Sequence, residues 1–164
     1  VHRLDRPVSG VMVFGKTSKG ASRLSEQIRA HSIEKEYHAL VHGSLQKSSG
    51  TLIHFLKRDA NKKKTFVVDE GVSGAEYAEL LYEVVEKRGS YSLLRVILHT
   101  GRHHQIRTQL SHIGHPIVGD IKYGSAEARG KEEGLALVAT RLSFDKATGN
   151  ERVEVCLPRD LWGL

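Results

Sequence analysis

The stretch YSLLRVILHTGRHHQIRTQLSHIGHP, residues 91–116, contains a strand, a turn and a helix in direct succession. Tyr91–Leu98 is a short apolar run with β-forming residues, which is typical of a strand. Three apolar residues then recur at helical spacing: Ile106, Leu110 and Ile113. Gly114 allows a left-handed cap and Pro116 cannot continue the helix. The sequence therefore predicts a strand that leads, through a turn at 99–101, into a short helix.

Further strands are predicted on both sides of this unit by apolar alternation or short β-branched runs. They lie at 8–15, 35–43, 51–57, 64–70, 75–87, 135–144 and 151–157. The run 8–15 suits a buried strand, and 75–87 could be a strand or a helix, of which we favour the strand. A first helix is expected from a cap at Ser18 to about residue 32, with one apolar face. Many strands and two helices without regular alternation predict an α+β fold with a largely antiparallel sheet.

The charge of the chain favours a polyanionic partner. It has 164 residues, a formal net charge of +6 and a pI near 9.5, and nucleic acid is the commonest partner of such a basic domain. Five cations lie within KRDANKKK, residues 57–64: Lys57, Arg58, Lys62, Lys63 and Lys64. We interpret this segment as a flexible basic loop, either a solvated surface loop or an arm that binds phosphates.

Cysteine use and hydropathy indicate the compartment. The single cysteine, Cys156, cannot form an internal disulfide, which predicts a reducing compartment, by default the cytoplasm. No apolar run is long enough to span a bilayer. Because the chain begins with Val1 and its only methionine is Met12, we expect it to be an excerpt.

Several kinds of catalytic site are disfavoured by the residues. Four histidines are close in sequence and suggest a metal site: His103, His104, His112 and His115. They lack an HExxH arrangement, and no cysteine completes a ligand set. No GxSxG elbow is present, and HRLDRP at 2–7 supplies one carboxylate where an ordinary glycosidase needs two. Alone, Asp5 in HRLDRP would be a salt-bridge acceptor for its neighbouring arginines.

Three blocks in order resemble the RluA family of RNA pseudouridine synthases. They are HRLDRPVSGVMVFGKT at 2–17, KEYHALVHG at 35–43 and TGRHHQIRTQLSHIGHPIVGDIKYG at 100–124. The resemblance implies a mixed, mostly antiparallel sheet with flanking helices, split by a central catalytic cleft. It also implies isomerisation of uridine to pseudouridine in rRNA or tRNA, with no metal or organic cofactor. The family's domain normally begins with a further block before HRLD, so residues 1–164 are expected to be a single, N-terminally incomplete catalytic domain.

The resemblance assigns catalytic roles to three residues. The family's aspartate falls on Asp5, its tyrosine on Tyr37 and its buried basic partner on Arg107. Asp5 would attack C1′ of the ribose or take a proton from the sugar, and the sequence leaves both open. Burial disfavours a charged carboxylate, so we expect Arg107 to bind Asp5 with both arms of its guanidinium. Tyr37 would stack on the uracil, with a possible part in removing the C5 proton, and Leu137 resembles an apolar residue of the pocket floor.

Other residues are expected to contact RNA or shape the site. The target nucleotide must be extruded from its helix, and the segment 57–64 would reach over the RNA. Arg3 and Arg6 are expected to bind phosphates, because alternate strand positions would turn them away from Asp5. Two interpretations stay open for Arg102 and His103: phosphate contacts beside the active site, or ordinary surface charge. The GHPIVGDIKYG stretch is expected to shape the turn after the helix. The alternatives are a basic RNA-binding module without catalysis and, more remotely, a metal-dependent nuclease.

Overall fold

A computed structural model of the chain describes residues 2–124, 134–149 and 151–164, which contain eight strands and two α-helices. The elements are β1 (Ser9–Gly10), α1 (Ser18–Arg29), β2 (Glu34–His42), β3 (Ser49–Asp59), β4 (Lys64–Val68), β5 (Glu76–Arg88), β6 (Tyr91–Leu98), α2 (Gln105–His112), β7 (Leu137–Asp145) and β8 (Arg152–Cys156). A single 3-10 turn follows at Arg159–Leu161. Among these residues, no helix combines the length and the apolar character that crossing a membrane requires.

All the strands form one sheet in the order β1-β7-β2-β6-β5-β3-β4, with β8 also paired to β7. The β1–β7 pair is parallel, and the other pairs of named strands are antiparallel. The predicted α+β class with a mixed, mostly antiparallel sheet is confirmed. The ambiguous run at 75–87 is the strand β5, whose partners on both sides satisfy its backbone.

The core lies on one face of the central strands, under α2. Ile106 and Leu110 of α2 pack with buried residues of β2, β6 and β7, including Val41 and Val96. A smaller cluster under α1 contains Leu24, which is buried as its predicted helical face requires. These two contacts place α1 and α2 on the sheet and fix the loops that precede them.

The first predicted strand and the first helix differ from the prediction in extent. The run 8–15 is not a buried strand, since only Ser9–Gly10 pair with β7 and Phe14 is 69% exposed. Alternation is the reason: Val11 and Val13 pack on the smaller cluster while their neighbours face solvent. Helix α1 is capped one residue earlier than predicted, because the Thr17 hydroxyl accepts the Gly20 N–H at 3.1 Å, and α1 ends at residue 29.

The basic segment 57–64 is a β-hairpin, so its prediction as a flexible loop is wrong. Lys57, Arg58 and Asp59 end β3 and pair with residues of β4 that begin at Lys64. Only residues 60–63 form the turn, where the Asp59 carboxylate accepts the N–H of Lys62 at 3.0 Å. The pairing was concealed in the sequence because the lysines carry no apolar alternation.

A β-bulge marks the centre of the sheet. The register of β2 against β7 shifts between Glu36 and Tyr37, so that Glu36 faces Arg141 and Tyr37 faces Ala139. Bulges redirect a side chain relative to its neighbours and occur often beside active sites. This one lies at the predicted catalytic tyrosine.

Candidate active site

A cavity of about 530 Å³ opens where the segment 2–8, the strands β2 and β7, and the N-terminal end of α2 meet. The four residues predicted for the catalytic pocket all line it: Asp5, Tyr37, Arg107 and Leu137. They come from four separate parts of the chain. The parallel β1–β7 pair brings the segment that carries Asp5 beside Leu137, and Gly10 permits this because a Cβ there would lie 2.2 Å from the Ala139 oxygen.

Arg107 makes its bidentate contact with Asp120, so the predicted bidentate contact with Asp5 is wrong. Arg107 Nε and Nη2 each donate to an oxygen of the Asp120 carboxylate at 2.8 Å. The remaining nitrogen, Nη1, lies 3.6 Å from Asp5 Oδ2, an ion-pair distance. The Nε–Nη2 edge of the guanidinium faces Asp120 because that carboxylate is fully buried. The same carboxylate also accepts the N–H groups of Lys122 and Tyr123, each at 3.0 Å.

The Arg107–Asp120 pair is charged despite its burial. Desolvation acts to raise the pKa of Asp120, but the hydrogen bonds and the charge of Arg107 outweigh it and hold that pKa below its usual value. Desolvation likewise opposes the charge on Arg107, and the two aspartates raise its pKa. Arg107 therefore presents a fixed positive charge to Asp5, whose side chain is 24% exposed and less secluded than the sequence suggested.

His104 is a second neighbour of Asp5 that the sequence reasoning considered only as a metal ligand. Its Nε2 lies 3.8 Å from Asp5 Oδ2, and its Nδ1 lies 2.8 Å from the Tyr123 hydroxyl. The Tyr123 oxygen accepts the Thr65 N–H at 2.8 Å, which leaves its own hydrogen free to point to His104 Nδ1. We assign the Nε2–H tautomer on this pattern. Burial, followed by the charge of Arg107, lowers the pKa of His104 to about 3, so the imidazole is neutral at physiological pH.

Tyr37 provides a buried aromatic wall. Burial, followed by the charge of Asp5, raises the pKa of Tyr37 to about 12. The phenol is therefore protonated at neutral pH and is a poor base, which argues against a part in removing the C5 proton. Leu137 is buried beside it as an apolar surface. Together they form a flat, largely apolar region suited to a planar ring.

The remaining predicted residues of the N-terminal segment and the α2 turn are divided. Arg3 and Arg102 line the cavity, while Arg6 is exposed in a turn outside it. The strand alternation expected for Arg3 and Arg6 is wrong, because residues 3–6 belong to no strand. Arg102 is held by Glu76 at 2.9 Å and donates its Nε hydrogen to a backbone oxygen. His103 stacks on His104 and contacts the Thr65 hydroxyl at 2.7 Å rather than lining the cavity.

The basic hairpin lies beside the site without entering it. None of its five predicted cations lines the cavity: Lys57, Arg58, Lys62, Lys63 and Lys64. The hairpin contacts the residues around the cavity in two places. Thr65 forms hydrogen bonds with Tyr123 and His103, and Lys122 Nζ donates to the Lys63 oxygen at 2.7 Å. RNA bound by the hairpin would therefore lie close to Tyr123 and His103, which contact His104 beside Asp5.

The sequence reasoning missed Asp120, whose stretch it treated as shaping a turn. The signal was present, because a carboxylate stands in GHPIVGDIKYG, thirteen residues after an arginine expected to be buried. In the described residues no group of three His, Cys, Asp or Glu side chains is placed to share a metal ion.

Comparisons with known proteins point to one family. A family model described as RNA pseudouridylate synthase matches residues 1–112. An uncharacterized RNA pseudouridine synthase of Mycoplasma pneumoniae is 35% identical over 153 residues, which cover 93% of this chain and 50% of the relative. The ribosomal large subunit pseudouridine synthase D of Pseudomonas aeruginosa is 40% identical over 125 residues, which cover 76% of this chain and 38% of the relative.

A solved structure, human RNA pseudouridylate synthase domain containing 1, superposes with a TM-score of 0.85 at 28% identity, over 96% of this chain and 67% of that one. The chain spans about half, or less, of the length of the curated relatives named here. The motif order, the sheet with its cavity, and these matches lead to one conclusion. The chain belongs to the RluA family of RNA pseudouridine synthases.

Proposed function

We propose that this chain isomerises uridine to pseudouridine in a structured RNA, with Asp5 as the catalytic residue. The observation that carries the proposal is the position of the Asp5 carboxylate in the cavity, 3.6 Å from the buried Arg107 guanidinium and 3.8 Å from the neutral His104. Because Arg107 is held by a second carboxylate, its fixed positive charge attracts the Asp5 carboxylate and limits its orientation. Both contacts reach Oδ2, which supports a role for Oδ1 toward the substrate.

The reaction moves one glycosidic bond and leaves the composition of the nucleotide unchanged. The bond from N1 to C1′ breaks, uracil turns in the pocket, C5 bonds to C1′, and the C5 proton leaves while N1 gains a proton. A carboxylate can support the first step by attacking C1′ or by taking a proton from the sugar. Both routes remain open, and both need Asp5 ionised and fixed in orientation.

Retention of the free uracil is the task of the aromatic and apolar walls. Tyr37 supplies a ring face and Leu137 an apolar floor, which would hold a planar base through stacking worth about 1–3 kcal/mol. The base must first leave its helix, at a cost of a few kcal/mol. The Tyr37 phenol can donate a hydrogen bond to a uracil oxygen while keeping its proton, which fits its raised pKa.

We further propose that the RNA is ribosomal or transfer RNA and that the basic hairpin 57–64 binds its backbone. The relative from Pseudomonas aeruginosa is named for the large ribosomal subunit, which makes that RNA the first substrate to test. The hairpin offers five cations at one edge of the sheet, and each phosphate contact would make binding weaker as salt rises. Action in the cytoplasm stays a prediction from the cysteine content.

Tritium release tests the proposal. Large-subunit rRNA transcribed with uridine tritiated at C5 is incubated with the wild-type chain, with Asp5→Asn, and with Asp69→Asn as a matched control in an exposed turn. We expect release by the wild type and the control, and at least about a hundredfold loss for Asp5→Asn. Tight RNA binding without release by the wild type would contradict catalysis and favour the non-catalytic RNA-binding module.

A further inference from the structure

The walls of the cavity carry far more positive than negative charge. Among the described residues that line it, five are arginines or lysines and one is a carboxylate: Arg3, Arg29, Lys35, Arg102, Arg107 and Asp5. Two of the cations are already bound, since Arg107 pairs with Asp120 and Arg102 pairs with Glu76. The surplus positive charge therefore belongs to the other three.

Lys35 differs from the other two because it lies on a central strand. In β2 it is paired with Leu98 of β6 and Leu142 of β7, and its side chain is half-buried. Within the described residues its ammonium has neither an ion-pair nor a hydrogen-bond partner. Burial and the charge of Arg102 lower the pKa of Lys35. A cation in such a place is costly unless an anion pairs with it.

The neighbouring acids are already occupied. Glu36 binds Arg95 at 2.8 Å, and Glu34 binds Arg141 at 3.2 Å. Strand alternation also turns these two side chains to the face opposite Lys35. In the part of the chain that the structure describes, the acids of β2 are thus paired with arginines, whereas Lys35 has no acidic partner.

The turn before α2 leaves room for the ammonium. A Cβ at Gly101 would lie 3.0 Å from Lys35 Nζ, so glycine at this position allows the lysine to approach the backbone. Gln105 holds this turn by accepting the Arg102 N–H at 2.9 Å and the Thr100 hydroxyl at 2.8 Å. Lys35 is therefore seated against a fixed backbone rather than free in solvent.

Lys35 and Tyr37 occupy alternate positions of β2 and line the same cavity. Their Cα atoms are about 7 Å apart at the usual strand rise. A nucleotide whose base stacks on Tyr37 would place a neighbouring phosphate within reach of the ammonium, because one ribose joins the two groups. A compact ammonium suits a phosphate oxygen as a point charge.

We infer that Lys35 binds a backbone phosphate next to the nucleotide that enters the cavity. Arg102 lines the same cavity but already pairs with Glu76, so the charge that meets the phosphate is that of Lys35. The inference rests on the proposed function, since it takes the anion from an RNA substrate. Lys35 would thereby be a binding residue that determines how the extruded nucleotide is seated. Asp5 and the groups around it would remain responsible for the chemistry.

Kinetics of tritium release from the labelled large-subunit rRNA test the inference at several salt concentrations. Lys35→Met is compared with Lys35→Arg and with Lys19→Met, an exposed lysine of α1 outside the cavity. We expect Lys35→Met to raise KM about tenfold with little change in kcat. The slope of log kcat/KM against log salt should fall by about 0.7 to 0.9. Lys35→Arg should recover part of the loss, and Lys19→Met should match the wild type. An unchanged KM and slope for Lys35→Met, or a fall in kcat alone, would overturn the inference.

A second measurement needs neither turnover nor a folded Met variant. Wild-type protein with ¹³C-labelled lysine is titrated with uridine 3′,5′-bisphosphate and, separately, with uridine. We expect the Lys35 signal, identified by its absence in Lys35→Arg, to shift with the bisphosphate and its pKa to rise, because a bound anion favours the charged amine. A signal that the bisphosphate leaves unmoved refutes the inference while wild-type tritium release stands. If the wild type releases no tritium, the proposed function fails, and this titration still decides the role of Lys35.

Discussion

Removal of the Asp120 carboxylate tests the arrangement on which the site depends. In the native chain this carboxylate has no exposed surface and accepts four hydrogen bonds: from Arg107 Nε and Nη2 at 2.8 Å, and from the Lys122 and Tyr123 N–H groups at 3.0 Å. Asp120→Ala leaves a buried guanidinium and two backbone donors without their acceptor. Breaking a buried pair from one side typically costs about 3–5 kcal/mol. We expect the lower part of that range, because Asp5 lies 3.6 Å away and can partly compensate Arg107.

Urea unfolding of four proteins measures this loss: the wild type, Asp120→Ala, Arg107→Met and the double variant. The double variant should be more stable than the sum of the single losses predicts, by about 2 kcal/mol, because it leaves no uncompensated charge. Glu151→Ala is the matched control, since Glu151 pairs with Lys146 at 2.6 Å but is 69% exposed; its midpoint should change little. A loss below about 1 kcal/mol for Asp120→Ala, or strict additivity of the two single losses, would refute the reasoning.

Three further outcomes are expected. Tyr37→Phe should keep kcat for tritium release within about tenfold of the wild type, since a pKa of about 12 keeps the phenol protonated; a hundredfold loss would show that the hydroxyl takes part in a proton transfer. Between about pH 6.5 and pH 3 the unfolded chain binds a proton that folded His104 does not. Stability should therefore fall as the pH falls through this window, with His104 contributing at most about 1.4 kcal/mol per pH unit; equal slopes for the wild type and His104→Gln in urea titrations would contradict this. Gly10→Ala should lower both Tm and kcat, because φ is +127° and the new Cβ would lie 2.2 Å from the Ala139 oxygen in the strand beside Asp5; a wild-type Tm would be inconsistent with that contact.

Local sequence patterns were sufficient for most of the secondary structure. The strand at Tyr91–Leu98 and the helix that follows were readable because their apolar spacing matches their burial on the sheet. The basic hairpin was misread, since its pairing partner lies across a turn and its side chains face solvent. The run 8–15 was misread because alternation was taken for continuous burial.

The residue types of the site could be named from the motifs, but their pairing could not. Asp5, Tyr37, Arg107 and Leu137 stand in recognisable blocks, and the cavity contains all four. Which carboxylate Arg107 binds depends on the relative depth of Asp5 and Asp120, and burial is a property of the folded chain. The same holds for the neutral state of His104, which results from desolvation and a guanidinium brought close by the fold.

The sequence by itself determined the family and the fold class and singled out Asp5 as the carboxylate to test, because these follow from residue types at fixed spacings. Only the tertiary structure decided that Arg107 lies between two aspartates and that Lys35 lines the cavity with no ion-pair or hydrogen-bond partner among residues 2–124, 134–149 and 151–164. The physical reason is that hydrogen bonds and ion pairs act over a few ångströms. Residues that lie this close in space but far apart in sequence are brought together by the sheet rather than by the order of the chain.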